Sequence, residues 1–475
     1  MKNNKWYKPL LEKVYDSYSD HIVVDDKGGF SVNPELREEL SKDFLLHDFE
    51  SELMLRAFIN EKRGERVIVF KKPNISYLPY DIEERSDIVI WQENDVDLAY
   101  QYEKKARSFE GEFLEELLSE SALELKLIEQ LLHSEKPDWG KVSHKWGYIS
   151  FLLDKYRINK SYVDDEQIGQ TIERVEKIEE KLKEKFTDFV FNHYNHLFYE
   201  SFINSPVTVD RVLAYLGQQE PGKKVLICFD GMGFQEWFTI KEYLEHKSVD
   251  NFREGHVFAL LPTVTSISRR ALFSGEKRYG KLPNEKKGFT EYVSRKWPSG
   301  KTSDIAFFHN ARTDYKPEYT SGDYVGIIFN LVDNLIHQFK KMAISKKLFQ
   351  NNLSIILGDT ELDQIIVKYL EQDYRVFISS DHGSVWCQGM GLKQDKHLLE
   401  ERAKRACLFN NELLAKEFVE KDRELNLFKC EEVFDDQFVV FSPWRKMFGN
   451  VDQNEITHGG MHLEEVVVPF VEVLK

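Results

Sequence analysis

LICFDGMGF, residues 226–234, is the stretch whose reading decides the fold. From Val225 to Phe229 the chain is apolar without alternation, as in a strand buried on both faces. The run breaks on Asp230, and Gly231 and Gly233 then favour a turn into a helix. The pattern recurs downstream in KVLICFD (224–230), HVFALL (256–261), SDIAFFH (303–309), DYVGIIFN (323–330), YRVFISS (374–380), FVVFS (438–442) and EVVVPFVEVL (465–474), with helix-like runs between many of them. Apolar strands alternating with helices predict an α/β domain with a mostly parallel sheet flanked by helices. Ligands bind beyond the carboxyl ends of such strands. Asp230 and the pair Asp381-His382 fall at those ends.

The chain has 475 residues, enough for two or three domains with their own cores. A net charge of -16 offers no general basic surface for nucleic acid, although metal ions can supply positive charge locally. Met1–Asp20 lacks the apolar core of a signal peptide, and no apolar run approaches the length of a membrane span. A cytoplasmic protein with no membrane partner is expected. Cys228, Cys387, Cys407 and Cys430 have neither paired nor metal-type spacing and read as reduced, mostly buried thiols.

The first 200 residues differ in character. Leu40, Phe44, Leu45, Phe49, Leu53, Leu55 and Phe58 give Pro34–Arg63 a helical apolar spacing. Two β-like runs come next, ERVIVF (65–70) and SDIVIW (86–91). Charged helices are expected over Val96–Leu132 and Asp165–Tyr199, the second reading as a solvated face or a docking arm. PVTVDRVLAYLGQQEPGKK, residues 206–224, looks like a boundary. No period suggests internal repeats.

Several residues offer oxygen or nitrogen ligands. Asp230 is a candidate, with an ordinary turn Asp as the competing reading. LPTVTSISRRALFSG (261–275) carries hydroxyls on Thr263, Thr265, Ser266 and Ser268 at a helix start, and sequence alone does not choose a nucleophile among them. Arg269 or Arg270, one turn on, could reach a phosphate, against ordinary ion pairing. Asp333 and His337, in FNLVDNLIHQF (329–339), lie four apart on one helix face. In VFISSDHGS (376–384) two adjacent ligands precede a glycine at a strand end, which favours a functional reading. His458 stands before a double glycine that lets the backbone approach closely. His462 has no clear role and reads as a partly exposed neutral imidazole, and His309 is a candidate substrate contact at a strand end. The set suffices for two divalent metals and a hydroxyl nucleophile, the equipment for cleaving phosphate esters.

In this order FDGMG, LPTVTSISRRALFSG, the Asp333/His337 pair, SSDHGS and THGGMHLEEVVVPF resemble the alkaline phosphatase superfamily, and in detail its PglZ branch of bacterial phage-defence (BREX) systems and some response regulators. LPYDI, 78–82, is also similar to PglZ proteins, less diagnostically. The resemblance implies an alkaline-phosphatase-like catalytic domain at 225–475, a linker at 201–224, and a mixed, mainly helical region at 1–200 for docking partners. It implies two divalent metals, zinc first, with manganese or magnesium as alternatives. Asp230, Thr265, Asp381 and His382 would hold one, and Asp333, His337 and His458 the other. Thr265 is preferred to Thr263 as nucleophile from its distance to the Ser274-Gly275 pair. Ser266, Ser268 and Arg269 would contact substrate, the serines standing where relatives often have an asparagine. None of the four cysteines lies in the C-x-P/A-x-R context of a sulfatase.

The expected activity is that of a metal-dependent phosphodiesterase or nuclease in phage defence, passing through a phosphothreonine. Its substrate would be a phosphodiester or nucleic acid, its partners other defence proteins such as a methyltransferase. The alternatives are a phosphomonoesterase on a small metabolite, which needs extra cationic groups, and a metal-stabilised interaction scaffold within a defence complex.

Overall fold

The structure is a computed structural model. It describes residues 7–475 apart from 18, 28–29, 50, 63, 72–78, 93–94, 96–113, 156–165, 202–204, 298–303, 311–320, 341–345 and 393–402. The chain folds as two compact units, Met1–Glu112 and Phe113–Lys475.

The first unit is α/β. Strands β1 (His21–Asp26), β2 (Leu45–Asp48), β3 (Val67–Lys71) and β4 (Asp87–Trp91) form a parallel sheet in the order β2-β3-β1-β4. Its core joins Leu10, Val14, Ile22, Val24, Phe30, Leu36, Ile68, Phe70 and Trp91. The stretch with helical spacing is divided by strand β2 into helices Pro34–Leu40 and Glu52–Glu61. Asn33 caps the first through Leu36 N, and Ser51 caps the second through Met54 N. In LPYDI, Leu78 lies outside the described residues, and the helix Tyr80–Glu83 covers most of the rest.

The second unit is built on a six-stranded sheet of β5 (Lys224–Phe229), β6 (Phe252–Phe258), β7 (Ile305–Asn310), β8 (Tyr324–Phe329), β9 (Arg375–Ser380) and β16 (Val467–Val473), while β10 to β15, between Val385 and Thr457, form smaller three-stranded sheets. The order is β6-β16-β9-β5-β8-β7. β7, β8, β5 and β9 run parallel, while β16 is antiparallel to both β9 and β6. The expected α/β class and mostly parallel sheet are therefore present. Every residue of β5 and of β8 is buried, as their unbroken apolar runs require. Helix Thr265–Ser274 packs on the face bearing Phe307, where the Phe273 and Phe307 rings meet edge to face at 5.2 Å.

Compactness divides the chain near residue 112, not near 200. Helices Leu114–Leu132, Trp139–Lys155 and Glu166–Asn192 belong to the second unit. The beginning of the expected Val96–Leu132 helix, through 113, lies outside the described residues. Nor is the Glu/Lys-rich helix merely a solvated arm. Its Glu179 accepts from Trp444 Nε1 at 3.2 Å and from Arg445 Nε. Arg445 Nη2 in turn reaches Glu464 Oε1 at 2.7 Å, and Trp146 Nε1 donates to the same oxygen at 2.9 Å. The four cysteines are buried and free. Among the described residues no helix is long and apolar enough to cross a membrane.

Glu179→Ala removes both bonds that tie the charged helix to the Trp444-Arg445 turn. Each charged hydrogen bond contributes about 1.5–3 kcal/mol at most, so urea denaturation should show a stability loss of about 1–3 kcal/mol. An unchanged midpoint would make the helix a loosely laid arm after all.

Candidate functional site

The carboxyl ends of β5, β8 and β9 lie side by side, and two of them are followed directly by singled-out residues. Asp230 follows β5, and its amide is still bonded to Phe329 O on β8 at 2.9 Å. The turn behind it uses Gly231 at φ +78, a conformation other residues adopt at a cost. Asp381 and His382 follow β9. There Gly383 is required by closeness, because a Cβ would lie 1.9 Å from Glu464 O.

Asp230, Asp381 and His382 are buried, with one ligand atom from each within 4.8 Å of the others. Asp381 Oδ1 accepts from the amides of Gly231 (3.2 Å) and His382 (2.9 Å). Its Oδ2 is buried with no hydrogen-bond partner. Burial, and then the charge of Asp381, push the Asp230 carboxyl well above the usual range, and Arg269 opposes them. A buried carboxylate pair with an orphaned oxygen is unfavourable alone. It fits a divalent cation, for which oxygen and imidazole donors are suitable ligands.

Thr265 opens its helix as the first helical residue. Val264 is the N-cap, so the Thr265 hydroxyl is not a cap. It lies 2.9 Å from His382 Nε2 and 3.4 Å from Asp230 Oδ1. His382 Nδ1 is 3.1 Å from Gly383 O, which only accepts, so Nδ1 carries the ring proton and Nε2 receives the Thr265 hydrogen. The other hydroxyls are placed differently. Thr263 donates to Gly460 O (2.9 Å) and accepts from Gly459 N (3.1 Å). Ser268 is buried and spans the Leu260 backbone, accepting from its amide and donating to its carbonyl. It is thus a structural bridge rather than the expected substrate contact. Ser266 is half-buried beside Thr265.

Arg269 Nη1 pairs with Asp230 Oδ2 at 2.6 Å, and its Nε with Glu285 Oε1 at 3.1 Å. Its first partner is therefore a site carboxylate. Asp333 and His337 pair with each other at 2.9 Å. Burial raises the Asp333 carboxyl, but the hydrogen bond and charge of His337, with His458 and His382 nearby, hold it down at about 2. His458 is buried and stacks on His382, ring centroids 4.2 Å apart. Its Nδ1 meets Thr263 O at 3.0 Å, so Nε2 carries the lone pair able to ligate. The structure thus gathers Asp230, Thr265, Asp381 and His382 tightly. Asp333, His337 and His458 surround them without forming an equally close trio.

Sequence reading missed what holds His458. Glu465 accepts from Gly460 N through Oε1 (2.9 Å) and from His462 N through Oε2 (3.0 Å), and Arg405 Nε lies 3.1 Å from Oε2. Both side chains are almost wholly buried. A Glu beside the valine run was a visible signal; Arg405, far away in the chain, gave none. His462 is buried against Trp444, ring centroids 3.7 Å apart, and is not the exposed imidazole expected.

Adding Zn²⁺ or Mn²⁺ to chelated protein should raise its melting temperature, because binding to the folded state alone stabilises it. Asp381→Asn should abolish that rise while leaving the metal-free protein as stable or more so, since the repulsion with Asp230 disappears. A metal-induced rise that persists in Asp381→Asn would remove Asp381 from the ligand set. Separately, Glu465→Ala strands a buried Arg405 charge and should cost about 3–5 kcal/mol by denaturant titration.

Comparison with known proteins gives three findings. No curated protein matches the chain. Among solved structures, murine ectonucleotide pyrophosphatase/phosphodiesterase 5 is 15% identical, with 53% of this chain and 87% of that one covered and a TM-score of 0.33. The human protein of the same name is 14% identical, with 53% and 87% covered and a TM-score of 0.34. The family model described as the BREX system PglZ alkaline phosphatase-like domain matches residues 209–473, more than half of the chain and all of the site. With the sheet and the buried Asp-Asp-His group in place, the chain belongs to the PglZ family.

Proposed function

We propose that this chain is a metal-dependent phosphodiesterase, acting as a nuclease in BREX-type phage defence, with Thr265 as its nucleophile. The observation that carries the reading is the Thr265 hydroxyl. It is uncapped, half-buried, and held between His382 Nε2 and Asp230 beside the orphaned Asp381 oxygen. Asp230, Thr265, Asp381 and His382 would hold one divalent ion, and Asp333, His337 and His458 a second, zinc being the first choice and manganese or magnesium suitable too. Bound there, divalent ions would supply Lewis acidity, favouring the threonine alkoxide and the departing oxygen.

The residues do the rest. Thr265 Oγ gives up its hydrogen and bonds to phosphorus as the bond from phosphorus to the leaving oxygen breaks. That oxygen departs and takes up a proton. Water then cleaves the Thr265–phosphate ester at phosphorus and restores the hydroxyl. The start of the ten-residue Thr265 helix presents backbone N–H groups and the positive end of its dipole to the phosphoryl oxygens. His458 keeps one tautomer through Thr263 O. The clamp of Glu465 and Arg405 keeps its turn in place. Phosphodiester or nucleic acid is the substrate class, and other defence proteins, such as a methyltransferase, are the expected partners.

The test is hydrolysis of bis(p-nitrophenyl) phosphate and of p-nitrophenyl phosphate by chelated, then Zn²⁺- or Mn²⁺-loaded protein. Metal-dependent diester cleavage should fall by about 10³-fold or more in Thr265→Ala, as for loss of a nucleophile, with the melting temperature of the metal-free protein little changed. Monoester preference would make the chain a phosphatase. Full activity in Thr265→Ala would remove the nucleophile.

A further inference from the structure

We propose that Asn330 and His309 form a neutral hydrogen-bonding subsite beside Thr265 that accepts a phosphodiester in preference to a phosphomonoester. This rests on the phosphoryl-transfer reading of the same site. Strand register carries it. Cys228 lies opposite Ile328, and Ile328 opposite His309. In a parallel ladder, partners point to the same face and that face recurs every second residue. His309 therefore shares a face with Cys228 and Ile328, and Asp230 and Asn330, two residues further along their strands, continue that face. It is the face of Phe307, on which the Thr265–Ser274 helix packs. Asn330 and His309 thus extend the row that begins at Asp230.

The two are joined. His309 Nε2 lies 3.2 Å from Asn330 Oδ1, an oxygen that only accepts, so the imidazole donates and the amide orientation is fixed. The Asn330 amide nitrogen, with two N–H groups, has no protein partner among the described residues. One helical turn on, Asn334 N donates to Asn330 O at 2.8 Å, and the buried Asn334 Nδ2 also lacks a partner among the described residues. Asn330 is only half-buried, so its two N–H groups stay accessible to the oxygens of a substrate.

The charge balance of this flank gives the subsite its selectivity. Arg269 is bonded to Asp230 and Glu285. Burial raises the Glu285 carboxyl, but a backbone N–H hydrogen bond, then Arg269 and the nearby Arg270, outweigh burial and hold it below the usual range. The carboxylates of Asp230, Asp381 and Glu285 thus outnumber the two arginines here. Burial, with Arg269 next in effect, lowers the His309 pKa, which favours the neutral ring. A phosphodiester carries one negative charge, whereas a phosphomonoester near neutral pH carries up to two. The neutral donors satisfy oxygens without supplying a counter-charge for the second.

The experiment measures kcat and KM for bis(p-nitrophenyl) phosphate and p-nitrophenyl phosphate with the full chain loaded with Mn²⁺, alongside melting temperatures. Asn330→Ala should raise the diester KM roughly 3- to 10-fold, the size of one hydrogen bond, with kcat little changed. Asn330→Lys should move the diester-to-monoester ratio of kcat/KM about 10-fold or more towards the monoester. His309→Ala should resemble Asn330→Ala, and His309→Gln, which keeps a donor, should recover most of the loss. Should Asn330→Lys not fold, the KM–kcat split in Asn330→Ser decides. Wild-type diester turnover with KM and ester ratio unmoved in these variants overturns the subsite alone. A folded wild type that cleaves neither ester overturns the phosphoryl-transfer reading, and the subsite with it.

Discussion

The second unit is organised around a buried cluster of negative charge. Asp230 and Asp381 put carboxylates within ligand distance of each other at the end of a sheet, where water is largely excluded. Like charges so placed repel strongly, and desolvation adds to the cost. Arg269 answers Asp230 with a 2.6 Å ion pair, and backbone amides answer one oxygen of Asp381. The remaining Asp381 oxygen has no such answer. The arrangement is reasonable if a cation completes it, and costly otherwise.

Keeping this cluster in place requires rigidity on every side. β5 and β9 pair over their whole lengths, from Lys224 opposite Arg375 to Phe229 opposite Ser380, so Asp230 and Asp381 leave the sheet at the same level. Ser380 then ties the two exits together, donating to Phe229 O at 2.7 Å and accepting from Met232 N at 3.0 Å. His458 arrives from a turn gripped by Thr263 on one side and by the Glu465-Arg405 pair on the other. Replacing such a buried pair by apolar residues is often tolerated in stability terms. Its place here comes from geometry: Glu465 orients the amides of Gly460 and His462, which an apolar side chain cannot do.

The sheet and most of its site were legible because both depend on local signals. Unbroken apolar runs announced β5, β8 and β9, and the abrupt polar residues at their ends announced Asp230, Asp381 and His382. Thr265 could not be separated from Thr263 in sequence, since both are hydroxyls at a helix start. The distinction lies in three dimensions, where Thr263 is consumed by the Gly459-Gly460 turn. Ser268 stood in the region where relatives often have an asparagine, but its hydroxyl faces Leu260. The strand Leu45–Asp48 was hidden in apparent helical spacing, since four residues are too short for periodicity to settle. The charged helix does carry a solvated face, but its contacts through Glu179 were hidden for a related reason, being with residues more than 260 positions away.

That last contact alters how the helices before residue 200 should be regarded. Glu464, which accepts from Arg445 and Trp146, is adjacent to Glu465, which holds the His458 turn. From helix Glu166–Asn192 a chain of charged bonds therefore runs through Glu179, Arg445 and Glu464 to within one residue of the site's clamp. Helix Trp139–Lys155 joins it through Trp146. Such a chain transmits strain only if it has two arrangements, and the structure shows one. In that arrangement the helices buttress the turn from outside, as Arg405 does from within.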